Sequence, residues 1–280
     1  MEIGIIGCGV VGGTLAEWLR RSTQCKILLY DPPKNLLADL STCEFIFVSV
    51  PVPAAGSGQD TSMLDAAVAH AKKFTDKIFI RSTVLPGTNA RLGTIAMPEF
   101  LTERRAYQDF DELPILVGGL GRPLGLEKVF PNKKIIQVTN IEAEVAKFAH
   151  NCFGAFKVTY FNIISELCEK LGADYEEVLN AASLTGFIGK THTQVPGPDG
   201  LCGFGGKCFP ENIDALRRFL LDEKLQMPAA QALFDLVSEL NFYHRSREVH
   251  EPWAEYEVTS GNTAEVPAAL STSTVVEVYT

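Results

Sequence analysis

Residues 3–7 are a short apolar run, and Gly7-Cys8-Gly9-Val10-Val11-Gly12 follows at once. The glycines lead into a helical pattern, TLAEWLRR, and then into a second apolar run, KILLY, which stops at Asp31. Strand, glycine turn, helix, strand and acid, in that order, constrain this chain more than any other feature. Gly7 permits a tight turn, Gly9 lets backbone approach a pyrophosphate, and Gly12 lets helix pack on strand. The helix start at Val10 and Val11 offers free N–H groups to phosphate oxygens. Asp31 stands about 20 residues on, where a carboxylate accepts from both ribose hydroxyls and repels a 2′-phosphate. The expected cofactor is therefore NAD rather than NADP. A G-x-G-x-x-G alone also fits a tight turn in a nucleotide-free α/β domain; the flanking strand, helix and acid make it specific.

The alternation continues. CEFIFVSVPVP reads as a buried strand ending in prolines, DTSMLDAAVAHAKKF as an amphipathic helix with an aspartate cap, and KIFIRSTVLPGT as a strand and loop. A helical pattern then leads to IAMPEFL, and ILVGG and KIIQV are short strands. The expected fold class is α/β, with residues 1–138 a Rossmann domain built on a doubly wound parallel sheet, followed by an all-α domain. Ligands then lie beyond the strand C-termini, near Gly7, Val50, Pro51, Thr83 and Glu99.

Residues 139–245 change character. Between Ile141 and Leu171 the only Gly or Pro is Gly154, and Val145, Phe148, Phe153, Phe156, Phe161, Ile164 and Leu167 recur at helical spacing. A long central helix of about 30 residues and about 45 Å is expected, apolar on more than one face. Such a helix forms a bundle core or an interface, and a homodimer through residues 141–171 is expected. GADYEEVLNAAS starts another helix, residues 186–208 form a glycine-rich loop, and Pro210–Glu223 and Pro228–Arg245 are helical. Residues 246–280 read as an acidic tail, with a short strand in STVVEVY.

Net charge is −9, which argues against a broad nucleic-acid or anionic-membrane surface, so neither partner is expected. No stretch approaches the roughly 20 apolar residues that span a bilayer, and MEIGIIG reads as a strand rather than a leader. Seven cysteines, odd in number and scattered, suit a reducing cytoplasm. Cys202 and Cys208 lack a paired CxxC or a nearby His, so no metal is expected.

Six segments carry a resemblance: GCGVVG, VSVPVP, STVLPGT, PEFLTE, EAEVAKFAHNCFGAFK with NIISELCEKLGAD after it, and GFGGKCFPEN. In this order, over residues 1 to about 245, the chain resembles the nucleotide-sugar dehydrogenase family, typified by UDP-glucose 6-dehydrogenases. The resemblance implies oxidation of a sugar's primary alcohol to a carboxylate with two NAD⁺. An aldehyde forms first, a cysteine captures it as a thiohemiacetal, a second oxidation gives a thioester, and water hydrolyses it.

Cys208 matches the family's nucleophile. A helix starting at Pro210 would favour its thiolate. Cys8, Cys25, Cys43, Cys152 and Cys168 read as small buried thiols. Lys147 and Asn151, spaced i,i+4, share one helix face whose neighbours Phe148 and Phe153 argue against exposure. By resemblance the pair stabilises the oxyanion and holds the catalytic water or alcohol. Glu99 matches the base for thioester hydrolysis, Glu103 the cofactor end of the site, and Thr83 a group that binds water or the nicotinamide side. Lys157, Asn162 and His150 read as structural, and His192 as a solvent-facing loop residue.

Two departures stand out. The family has Lys-Asp after the proline, where this chain has Glu211-Asn212. Asn212 keeps hydrogen bonds but cannot accept a proton, and an inward Glu211 would oppose the thiolate. The outcomes are a slower enzyme, substitution by Glu99 or Asp214, or loss of full turnover. The second departure is that about 35 residues follow Arg245, too few for the second Rossmann-like domain that grips the nucleotide. A partner or the tail supplies that grip, the substrate differs, or the chain is a truncated relative. Two rival readings remain: a single-step β-hydroxyacid dehydrogenase-type enzyme using Lys147 and Asn151, and a non-catalytic protein that binds NAD or a sugar nucleotide.

Overall fold

The alternating runs become alternating elements in a computed structural model that describes residues 1–247 apart from Ser57, Glu223 and Lys224. The expected tail strand in STVVEVY lies outside the described residues. In chain order the first elements are β1 (Glu2–Ile6), α1 (Val10–Ser22), β2 (Lys26–Asp31), β3 (Leu36–Leu37), β4 (Phe45–Val48), β5 (Ala54–Ala55) and β6 (Gly58–Gln59). Then come α2 (Ser62–Ala71), β7 (Ile78–Ile80), α3 (Thr88–Leu92), β8 (Ile95–Ala96), α4 (Ala106–Glu112), β9 (Ile115–Val117) and β10 (Ile135–Gln137). The helical half carries α5 (Asn140–Leu171), α6 (Tyr175–Ala182), α7 (Cys208–Phe219) and α8 (Pro228–Ser246). Met1–Arg247 form one unit.

Six strands form one sheet in the order β3-β2-β1-β4-β7-β8, parallel throughout except for the antiparallel edge strand β3. β5 and β6 pair separately as a small antiparallel hairpin. The strand order reverses between β1 and β4, which puts the ligand crevice beyond their C-termini. Phe45 and Phe47 pack with Leu15, Trp18, Phe110 and Phe130 on one face of the sheet. Ile46 and Val48 pack with Leu64 and Val68 on the other. Burial on both faces explains why this strand is apolar at every position.

ILVGG and KIIQV, expected to extend the sheet, instead make their own parallel pair, β9 with β10. The first residue of α5 supplies the reason. Asn140 Oδ1 accepts from the Ala96 N–H at 3.0 Å, and its Nδ2 donates to the Thr94 carbonyl at 3.0 Å. The outer edge of β8 is thus occupied by a side chain of α5, and β9 stays tied to it through Gly118 N–H to the Ala96 carbonyl, 2.7 Å.

The long helix forms as its sequence dictates. Thr139 and Glu142 make a reciprocal capping box, and Gly172, at φ +70°, ends the helix in the left-handed region. Its 32 residues span about 48 Å at 1.5 Å per residue. One turn past Asn140, buried Glu144 accepts from Gly87 N–H at 2.7 Å, Asn89 N–H at 2.8 Å and Asn89 Nδ2 at 2.8 Å. Truncating that carboxylate strands several buried donors. Glu144→Ala is therefore expected to lower stability by ~1–3 kcal/mol in urea unfolding; an unchanged midpoint would show that water serves those donors equally well.

Candidate active site

The glycine turn has the geometry a dinucleotide needs. Gly7 sits at φ +84°, and a Cβ at Gly12 would lie 2.0 Å from the Gly7 carbonyl oxygen. A Cβ at Gly9 would meet nothing within 4 Å, so the second glycine leaves open the space that a pyrophosphate fills. Helix α1 begins next to it at Val10, and no side chain caps its first N–H groups. Asp31 ends β2 and accepts from Cys8 N–H with Oδ2 at 2.8 Å, while Lys34 donates to the Cys8 carbonyl at 2.6 Å. One carboxylate oxygen of Asp31 therefore braces the turn. Val50 is buried against Gly7, and Pro51 is exposed beside it. These residues fit NAD.

The reacting side is built where α5 passes the ends of β7 and β8. Lys147 Nζ lies 3.2 Å from Glu99 Oε1, with both side chains almost fully buried. Glu99 Oε2 accepts from Leu101 N–H at 2.6 Å, and Lys147 lies 5.3 Å from the centre of the Phe100 ring. Thr83 lines a small cavity with Lys147 and Pro98. One turn along α5, Asn151 donates from Nδ2 to Asn212 Oδ1 at 2.5 Å. Phe148 is buried as expected, but Phe153 is 68% exposed, so it shields neither polar residue. Packing of α5 against the sheet and α7 buries Lys147 and Asn151 instead.

Cys208 begins α7, two residues earlier than expected, and is exposed. Gly154 brings it close to α5: a Cβ there would lie 2.5 Å from Cζ of Phe209. The preceding loop needs its glycines, with Gly203 at φ +72° and Gly206 at φ +71°. Asn162 Oδ1 accepts from Gly203 N–H at 2.9 Å, and Asn241 Oδ1 accepts from Phe204 N–H at 2.7 Å. Sequence reasoning left Asn162 to packing and overlooked Asn241. Each amide stands on a helix that the sequence pattern already marks.

The groups around Cys208 oppose the expected thiolate. Burial pushes the Cys208 thiol up; Lys147 pulls it down, but Glu99, Glu211 and Glu103 push it up further. Glu103 is exposed at the start of the short turn Glu103–Arg105, within electrostatic reach of the sulfur. Asp214, offered as a substitute acid, is held by Arg217 at 2.7 Å and Arg218 at 3.0 Å. Burial alone would raise its carboxyl, yet those two bonds hold it below its ordinary value, so it makes a poor base. His150, read as structural, places Nδ1 3.1 Å from Asn151 Oδ1 and its ring edge-on to Phe100. His192 is exposed, as expected, with its ring centre 5.4 Å from that of Phe209.

Residues 141–241 match the central domain of the UDP-glucose/GDP-mannose dehydrogenase family. UDP-glucose 6-dehydrogenase 2 of Oryza sativa subsp. japonica is 28% identical over 263 residues, which cover 89% of this chain and 49% of that protein. UDP-glucose 6-dehydrogenase of Mus musculus is 33% identical over 170 residues, 57% of this chain and 33% of its own length. The chain thus spans about half or less of these relatives. A UDP-glucose dehydrogenase structure from Pyrobaculum islandicum superposes with a TM-score of 0.73 at 23% identity, covering 86% of this chain and 68% of that one. A UDP-D-ManNAc dehydrogenase from Pyrococcus horikoshii gives 0.71 at 19% identity, covering 87% and 69%. Those two likenesses establish the fold. The resemblance read from the sequence is borne out over residues 141–241, which match the central domain of the UDP-glucose/GDP-mannose dehydrogenase family.

Proposed function

We propose that this chain oxidises the primary alcohol of a nucleotide sugar to a uronic acid through a thioester on Cys208. The observation that carries the reading is the convergence of Lys147, Glu99, Asn151 and Asn212 beside the first turn of α7, where Cys208 stands. The single-oxidation hydroxyacid reading is not favoured, because the match over residues 141–241 is to nucleotide-sugar enzymes.

Gly7, Gly9, Val10, Val11 and Gly12, with Asp31, Val50 and Pro51, would hold NAD⁺, Thr83 and Glu103 would stand on the cofactor side of the reacting centre, and the bound dinucleotide would supply the hydride acceptor for both oxidations. Lys147 and Asn151 hold the oxygen of the reacting carbon as negative charge develops on it; fixed donors of this kind commonly contribute several kcal/mol. Cys208 rests as a thiol and adds to the aldehyde as one. The C–S bond forms, the carbonyl electron pair moves to oxygen, and the sulfur's proton ends on that oxygen, so the addition is neutral. After the second oxidation a water attacks the thioester, Glu99 takes its proton, and the sulfur leaves and is reprotonated. Asn212 binds Asn151 but accepts no proton, so hydrolysis is the step this site performs least well.

The setting and assembly follow the same reading. All seven cysteines are free, which suits a reducing cytoplasm. No described helix is long and apolar enough to cross a membrane. A homodimer through the long helix is supported by an unpartnered apolar row on α5: Phe153, Tyr160, Ile163, Leu167 and Leu171 are all exposed.

The decisive assay is mass spectrometry on a panel of nucleotide sugars with NAD⁺. Wild type should yield the acid and Cys208→Ser should not; acid formation undiminished by the serine would exclude the thioester route. Asn212→Asp should raise kcat about tenfold or more by restoring a proton acceptor. No gain would mean that Glu99 already carries the whole proton transfer. Alkylation of Cys208 by iodoacetamide at pH 8 should slow in Lys147→Met and quicken in Glu211→Gln, since the lysine lowers the thiol's pKa and the glutamate raises it. Leu167→Glu should shift the sedimentation coefficient from dimer to monomer; an unchanged value would move the interface elsewhere.

A further inference from the structure

Arg81 directly follows β7, and its N–H is hydrogen-bonded to the Val48 carbonyl at 2.8 Å. The residue is 2% exposed, and Nε and Nη2 have no partner. Its guanidinium carbon lies 5.1 Å from the centre of the Phe110 ring, a contact that does not satisfy N–H donors. Burial pulls the pKa down to about 10, against the opposing pull of Glu99, so the group stays cationic at neutral pH. A buried cation with two orphaned donors is costly unless something fills their hydrogen bonds.

The same side chain lines a cavity of about 20 Å³ together with Glu99, Phe100, Asp109 and Phe110. One water needs ≳10–15 Å³ and at least two polar partners. The cavity meets both conditions, with donors on Arg81 and acceptors on two carboxylates. A free anion is disfavoured there, because Glu99 and Asp109 already supply negative charge. Asp109 is in addition engaged by Thr102 N–H at 2.7 Å.

We propose that this cavity binds one water that joins Arg81 to Glu99, and that Arg81 is thereby a positioning residue for Glu99. The role rests on the reading of Glu99 as the base for thioester hydrolysis. Charged and titratable groups face Glu99 from four elements: Lys147 on α5, Arg81 after β7, Asp109 on α4 and Cys208 on α7. Lys147 holds the carboxylate from the cleft side. Arg81, through the water, holds it from the buried side, so Glu99 keeps its aim when Lys147 turns to substrate oxygen.

Two measurements test this on the full chain. A high-resolution crystal structure without substrate should show water in hydrogen-bond reach of both Arg81 Nε or Nη2 and a Glu99 oxygen. A dry cavity, an anion in the water's place, or a direct Arg81–Glu99 pair would overturn the proposal. The second measurement is the steady-state rate of uronic-acid release with UDP-glucose and NAD⁺. Arg81→Met should lower kcat about tenfold with KM unchanged, and Arg81→Lys should restore it. Equal kcat in all three proteins, or a loss that lysine does not repair, would reduce Arg81 to packing. The crystal arm reads no turnover, so failure of the oxidation would sink the preceding reading and leave the water to be judged by density alone.

Discussion

One polar stripe on α5 organises the molecule. Asn140, Glu144, Lys147 and Asn151 recur at spacings of four, three and four, which keeps them on one face of the helix. Each reaches a different part of the chain. Asn140 occupies the edge of β8, Glu144 binds the N–H groups before and inside α3, Lys147 meets Glu99, and Asn151 meets Asn212. Buried polar groups demand partners, so these contacts fix the helix in rotation and in translation. The two structural members of the stripe lie one and two turns ahead of the chemical ones. A rigid helix carries their positioning directly to Lys147 and Asn151.

The second constraint is the absence of a side chain at Gly154. It lets Phe209 lie against α5, and Cys208 is the residue before Phe209. Asn162 and Asn241 then hold the loop that leads into α7, so the sulfur is placed from two helices, α5 and α8. The electrostatics around it are mixed: one lysine favours the thiolate, while three glutamates and partial burial oppose it. On the proposed route a neutral thiol adds to an aldehyde without separating charge, so these surroundings do not oppose that step. Asn212 is an amide and Asp214 is committed to two arginines, so neither is placed to accept a proton there.

Much of this was legible in one dimension. The glycine turn, the strand before it and Asp31 after it are contiguous or nearly so, and their geometry follows from local backbone preference. The long helix announced itself through periodicity and through Thr139, Glu142 and Gly172 at its ends. Lys147 with Asn151 could be paired because the helix repeat relates them. Arg81 could not be singled out, since nothing in RSTVLPGT distinguishes a surface arginine from a buried one. Nor could the fate of β9 and β10 be read, because the group that displaces them belongs to a helix that comes later in the chain.

The sequence by itself determined the fold class, the glycine turn and the long helix, because these depend on local periodicity, turn chemistry and short motifs. Only the tertiary structure decided that three glutamates stand against the Cys208 thiolate, that Asp214 is held by two arginines, that Asn140 closes the edge of the sheet and that Arg81 and Glu99 line one cavity. Those outcomes depend on burial and on charges brought together from distant parts of the chain, and neither quantity exists until the chain is folded.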